Sequence, residues 1–372
     1  MKYLAVLLFA FTVAADDAAV TAARAASDAR PQHPTLLVKL AVALSANGQH
    51  DEAVAILERV ASMGFVYSLQ EPELGAVRAR VADKFAPNAR PIGSAREELT
   101  VARKGMIPEG LAYDGKRFYV SSVRLKTIFA DGKPFAELPT SVYGMAAGRT
   151  LWAAGESAVY ELDLRTGRVL RALTVLSGAP GSQPGAGRAE SPSLQGEPHH
   201  FGDLAIAADG HVYVSDSKGT TLYEVNGNAL VPFVSGPFRN LQGIAPSGER
   251  LYVADYSNGL FAVDRRTRDL VALRVPPNVS LLGVDGLYAL DARTLFATQN
   301  GTNPNRILRI RLAPGGLAVE SVDTLLANDP RMTDPTLGVL ARNRFFFNAN
   351  GQWEEKDESR QLEALVLSVP AR

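Results

Sequence analysis

One short pattern returns six times from about Glu98 onward, and it restricts the fold more than any other feature of the chain. Each copy has an apolar pair after a small or acidic residue, then a turn, then an alternating strand. The copies read PEGLAYDGKRFYVSS, VYGMAAGRTLWAAG, FGDLAIAADGHVYVSD, LQGIAPSGERLYVAD, VDGLYALDARTLFATQ and, more weakly, DPTLGVLARNRFFFNA. Their anchors Gly110, Gly144, Asp203, Gly243, Gly286 and Thr336 lie 34, 59, 40, 43 and 50 residues apart. A four-stranded propeller blade takes about 40–50 residues. A β-sandwich does not produce six similar units. The expected fold is an all-β six-bladed β-propeller over residues 98–370, closed on itself so that no long sheet edge is exposed. Closure predicts Glu97–Arg103 as the outer strand of the sixth blade, beside Ala364–Val369.

Residues 16–90 follow a different period. Leu36, Leu37, Leu40, Ala41 and Leu44 recur at helical spacing, as do Ala53, Val54, Leu57 and Val60 after Asn47-Gly48. Gly48 is placed to end the first helix and Asp51 to cap the second. Ala41 and Ala53 are small where two helices would approach closely. The segment reads as one tetratricopeptide-like helix pair, with flanking helices over 17–29 and 72–86 and a linker over Ala86–Ser94. One pair cannot bury its apolar face alone. A protein contact through the helical segment is the partner it suggests.

The charge balance excludes some functions. Lysine plus arginine and aspartate plus glutamate number 39 each, and no basic stripe stands out. Nucleic acid is therefore not an expected partner. The chain has no cysteine, which removes disulfides, thiolate metal sites and thiol nucleophiles. The opening MKYLAVLLFAFTVAADD has Lys2, an apolar run Tyr3–Val13, and small residues Val13 and Ala15 before Asp16. That is the pattern of a signal peptide over 1–15, with a retained anchor or buried helix as the other reading. The expected location is secreted or periplasmic. No later segment is long and apolar enough to span a membrane.

In a propeller, the residue before each anchor opens an innermost strand and faces the central channel. Those positions are Glu109, Tyr143, Gly202, Gln242, Asp285 and Pro335, with Asp203 one step on. Glu109 and Asp285, far apart in sequence, are thus expected to meet. Like charges at close range repel unless a cation lies between them. Oxygen ligands favour a hard cation, Ca²⁺ or another such divalent ion. The competing reading is a hydrogen-bonded network that plugs the channel.

These copies resemble the gluconolactonase and senescence-marker-protein (regucalcin) family. Its wider superfamily includes paraoxonase, diisopropylfluorophosphatase and strictosidine-synthase-like proteins. The resemblance covers about 98–370 and omits the helices. It implies one divalent cation in the channel, with Glu109 as the glutamate of the family's EG motif. Asp285 corresponds to the aspartate of PDG, a ligand and also the base or nucleophile. Gln242 stands where the family has asparagine, and Asp203 matches the aspartate of ND, whose asparagine is Gly202 here. The metal set implied is Glu109, Gln242, Asp285 and Asp203. The activity implied is hydrolysis of a small-molecule ester or lactone, with Asp285 as the base or nucleophile; Asp203 and His200, close to it in the expected ring and loop, are the other catalytic candidates.

Between the second and third copies, Leu176–His200 is rich in Gly, Pro and Ser, and ends beside Asp203. A loop of that length is commonly functional or disordered. Here it reads as a lid that brings His199 and His200 to the site, or as a carrier of two exposed histidines. Tyr143, Arg239, Asn240 and His199 are candidate substrate contacts; Tyr143 and Arg239 equally suit the rim. Arg342–Trp353 reads as aromatic packing of the last blade and Glu354–Arg360 as a solvated loop. Asn300 is noted only within the glycosylation tripeptide Asn300-Gly301-Thr302. Against the hydrolase stands a non-catalytic propeller that binds a ligand or a protein.

Overall fold

The computed structural model describes residues 17–175, 199–357 and 360–372. The signal-peptide reading of 1–15 and most of the lid reading fall outside these residues. The chain forms two compact units, Met1–Arg90 with Val275–Leu281, and Pro91–Arg274 with Leu282–Arg372.

The first unit is helical, over 17–29, Pro34–Ala46, His50–Ser62 and Arg78–Phe85. Pro34 starts its helix where a missing N–H costs nothing. The end of that helix is a Schellman motif. Gly48 takes a positive φ of 73°, Gln49 N–H donates to Leu44 O, and Gly48 N–H donates to Ser45 O. Leu37, Ala41, Leu44, Ala53 and Leu57 have no exposed surface and form the core of the unit. Asp51 does not cap the second helix. That helix begins one residue earlier, at His50, and Asp51 lies in its first turn, where Arg80 Nη2 donates to it at 2.8 Å. The expected linker is partly structured. Ala86–Ala89 is a 3₁₀ turn, held by Asn88 Nδ2 donating to Ala61 O and Phe65 O. Val275–Leu281 joins this unit through a bond from Arg59 Nε to Pro277 O.

The second unit has six four-stranded antiparallel sheets, the blades of a six-bladed propeller. Their innermost strands are Pro108–Tyr113, Val142–Ala147, Phe201–Ile206, Leu241–Ser247, Val284–Asp291 and Gly338–Ala341. Arg96–Val101 pairs with Ala364–Pro370 as the outer strand of the sixth blade, so residues from both ends of the unit close the ring. The core lies between neighbouring blades. At the closing seam Leu111 and Val120 of the first blade pack with Phe346 and Val366 of the sixth.

Five of the six inner strands are irregular at the anchor. Opposite a single partner residue, two residues are inserted at Glu109-Gly110, Tyr143-Gly144, Gln242-Gly243 and Asp285-Gly286, and the register also shifts at Gly202. A bulge re-aims a side chain out of the sheet alternation. The freed backbone is satisfied by a hydroxyl from the second strand in alternate blades. Ser121 Oγ accepts from Gly110 N–H, Ser215 Oγ from Asp203 N–H, and Thr298 Oγ1 from Gly286 N–H. Ser121 Oγ also donates to Tyr143 O at 2.8 Å, which ties blade one to blade two.

Gly110, Gly144 and Gly243 are glycine because neighbouring inner strands nearly touch. A Cβ on Gly110 would press into the Tyr143 carbonyl oxygen, a backbone atom that cannot swing aside. Gly110→Ala is expected to destabilise the propeller by about 3 kcal/mol or more, a severe overpacking effect. Urea unfolding checks this; a loss below about 1 kcal/mol would show that the strands can separate without cost.

Candidate functional site

The bulges gather their side chains around one cavity of about 720 Å³ at one end of the channel. Glu109, Gln242 and Asp285 line it, as do Tyr143, His200 and Asn240. Glu109 and Asp285 are only 7 % and 6 % exposed. The backbone of Glu109 is fixed across the seam by three donors from blade six: Leu337 N–H, Asn348 Nδ2 and Thr336 Oγ1 all reach its carbonyl oxygen.

Each functional side chain keeps one oxygen free. Trp353 Nε1 donates to Glu109 Oε2 at 2.9 Å, and Asn300 Nδ2 donates to Asp285 Oδ2 at 2.8 Å. Tyr256 donates in turn to Asn300 Oδ1, which fixes the amide that orients Asp285. Gln242 Nε2 donates to Asn240 Oδ1 at 2.7 Å. No described group donates to Glu109 Oε1, Asp285 Oδ1 or Gln242 Oε1.

Burial and mutual repulsion raise the carboxyl pKa values. Glu109 is raised well above the usual carboxylate range, chiefly by burial and then by the charge of Asp285; the Trp353 hydrogen bond opposes this. Asp285 is pushed up to about 7 by burial, against the Asn300 hydrogen bond. His200 is lowered by burial and by Lys218, so its imidazole is neutral at pH 7. Its ring lies 4.4 Å from the Tyr143 ring, centroid to centroid.

Three expected site residues are placed elsewhere. Asp203 does not line the cavity. It occupies an anchor position that is glycine in four other blades, so its carboxyl lies among the crowded inner strands against Gly144. Its Oδ1 accepts Leu204 N–H, its Oδ2 has no partner, and burial pushes its pKa up to about 8. It lies one residue beyond Gly202, which lines the cavity. His199 points away: its Nδ1 pairs with Asp216 Oδ2 at 2.7 Å and its ring stacks on Phe201. Arg239 is exposed and outside the lining.

Other residues at the cavity were missed. Asp334, not Pro335, is the sixth-blade contribution, because that inner strand starts late, at Gly338. Trp353 does not pack in the last blade but stands 42 % exposed at the cavity, whereas Phe345, Phe346 and Phe347 are the buried packing. Glu354 and Glu355 line the cavity too, so the charged loop that carries them is not simply solvated. A signal for part of this existed. Ser217, Tyr256 and Asn300 each follow the last residue of a second strand, in blades three, four and five. They form a second ring that alignment of the six copies exposes.

The donor set fits a hard divalent cation in its chemistry: the free ligand atoms are all oxygen and two are carboxylate. It is smaller than expected. Among the described residues no group of three or more His, Cys, Asp or Glu is arranged to hold a metal ion. Glu109, Gln242 and Asp285 are the residues that would hold such an ion.

The comparisons with known proteins agree with this fold. The tetratricopeptide-repeat family matches residues 15–64. Regucalcin from Agrobacterium tumefaciens, described as a calcium-binding protein, superposes with a TM-score of 0.53 at 14 % identity, over 75 % of this chain and 95 % of its own. A gluconolactonase from Xanthomonas campestris gives 0.51 at 16 %, over 77 % and 92 %. A luciferin-regenerating enzyme gives 0.52 at 13 %, over 74 % and 95 %. The chain shares the six-bladed fold of the gluconolactonase and regucalcin propellers. No curated protein matches the sequence. Among the described residues no helix is long and apolar enough to cross a membrane.

Proposed function

We propose that this propeller hydrolyses a small-molecule lactone or ester, with one Ca²⁺-like ion held by Glu109, Gln242 and Asp285. The observation that carries the reading is the pair of buried carboxylates from blades one and five, each with one oxygen oriented by a donor and one free in the same cavity. When bound, the cation supplies Lewis-acid polarisation of the substrate carbonyl. Asp285 takes the proton from the attacking water. Asn300 holds the Asp285 carboxylate in place. Neutral His200 stands in the same lining as a second proton acceptor. Similarity to gluconolactonase and regucalcin supports the substrate class and the cation. Export, on the strength of Lys2 and Tyr3–Val13, belongs to the same reading.

The test is a panel of lactones and aryl esters assayed with Ca²⁺ present. Asp285→Asn is expected to lower kcat at least about 100-fold, the scale of general-base loss. Asn300→Ala should lower it less, about tenfold, through misorientation. A panel with no turnover, or turnover indifferent to Asp285, refutes the hydrolase. The small ligand set favours one second reading, a non-catalytic binding module, with the helical unit as a protein contact. A cavity that binds ligands without turning any over would establish it.

A further inference from the structure

The charges around the cavity are one-sided. Five carboxylates line it, from buried Glu109 and Asp285 through half-buried Asp334 and Glu355 to exposed Glu354. Among the described residues no lysine or arginine is in the lining. A divalent cation between Glu109 and Asp285 balances those two alone. Asp334, Glu354 and Glu355 remain and keep the space a substrate must enter negative. An anionic sugar acid would be repelled there, and a neutral lactone would gain nothing from the three acids.

Two further features point to a ligand. The carboxylates of Glu109 and Asp285, each more than nine-tenths buried, keep an oxygen in the cavity without a protein donor. The chain has two tryptophans, Trp152 in the core and Trp353 at the cavity, 42 % exposed with its N–H tied to Glu109. The indole face is therefore held beside the acids, not packed away, with Tyr143 and Tyr256 in the same lining. Acids joined to exposed aromatic faces recognise alkylated ammonium groups, which are weakly hydrated cations.

We propose that the molecule accepted by this site carries a positively charged ammonium group, seated against Trp353 with Asp334 and Glu355 as counter-charges. The proposal shares its cavity with the hydrolase reading and deepens it by naming the substrate class.

The test compares choline with its uncharged isostere 3,3-dimethyl-1-butanol, binding to the full-length protein at fixed saturating Ca²⁺. Calorimetry and tryptophan fluorescence follow binding, since Trp353 is the exposed indole. Choline is expected to bind at least tenfold more tightly. Asp334→Asn with Glu355→Gln should cut that preference to threefold or less at an unchanged melting temperature, and 0.5 M NaCl should shrink it. Equal affinities, tighter binding of the neutral alcohol, or binding of neither overturns the proposal. Lactone hydrolysis without a choline preference refutes the ammonium site and leaves the hydrolase. A choline preference in a protein that hydrolyses neither acetylcholine nor any lactone refutes the hydrolase and leaves the ammonium site.

Discussion

Calcium titrated into metal-free protein is expected to bind one ion per chain, and Asp285→Asn to bind it about 100-fold more weakly. The wild-type cavity offers a Ca²⁺ ion two formal negative charges from Glu109 and Asp285. The variant keeps the shape of the site but halves that charge where little water screens it. At a free concentration about 100 times Kd, the ion should stabilise the folded chain by about 2.7 kcal/mol. In a propeller of this size that is a rise in Tm of about 4–5 °C. Gln242→Ala, which removes a neutral ligand, should weaken binding by about tenfold. Calorimetry with a parallel melting series checks all three. Absence of Ca²⁺ binding, or binding indifferent to Asp285, would leave Glu109 and Asp285 as members of a hydrogen-bond network with Trp353 and Asn300.

In chelator, the same protein is expected to lose stability as pH rises from about 4.5 to 8. An acid whose pKa is higher in the folded chain than in the unfolded one keeps its proton on folding. Above about pH 4 the unfolded chain has released that proton and the folded chain has not, so rising pH favours unfolding. The loss runs until the folded values are passed, about 7 for Asp285 and about 8 for Asp203, with Glu109 acting in the same direction. A tenfold change in an acid's ionisation constant on folding corresponds to about 1.4 kcal/mol, so the drop should reach several kcal/mol, on the order of 10 °C in Tm. Asp114, Asp209 and Asp329 have lowered values and act in another window, where their stabilisation is lost as pH falls below about 4. Glu109→Gln should therefore melt above wild type at pH 8 in chelator and equal to it at pH 4.5. With saturating Ca²⁺ at pH 8 the order should reverse, because the variant has lost a ligand. A wild-type profile that is flat between pH 4.5 and 8 contradicts the burial of these acids.

The two halves of the site differ in how visible they are before folding. Glu109, Gln242 and Asp285 are legible because they recur at one position of a repeat, and a repeat position becomes a ring position once the blades close. Tyr256 and Asn300 share a repeat position too, but theirs follows the second strand, where alternation had ended and the residues read as turn. Asp203 misled because its neighbour Gly202 occupies the ring position and one residue along a bulged strand reverses which way a side chain faces. Trp353, Glu354 and Glu355 lie in a connection outside any repeat, where composition says only that the segment is polar.

The number of blades, the seam between Arg96–Val101 and Ala364–Pro370, and the meeting of Glu109 with Asp285 can all be read before folding, because they follow from periodicity and closure. So can the end of the helix at Gly48, a local matter of one glycine and two hydrogen bonds. What stands around the two carboxylates is settled by the packing of the blades. Which N–H reaches each carboxyl, which acid sinks below the cavity and which loop residues rise to its rim depend on distances between chain segments up to 244 residues apart. No local preference encodes those distances. They are set when six sheets, held apart by the side chains between them, fix where each bulge and each loop must lie.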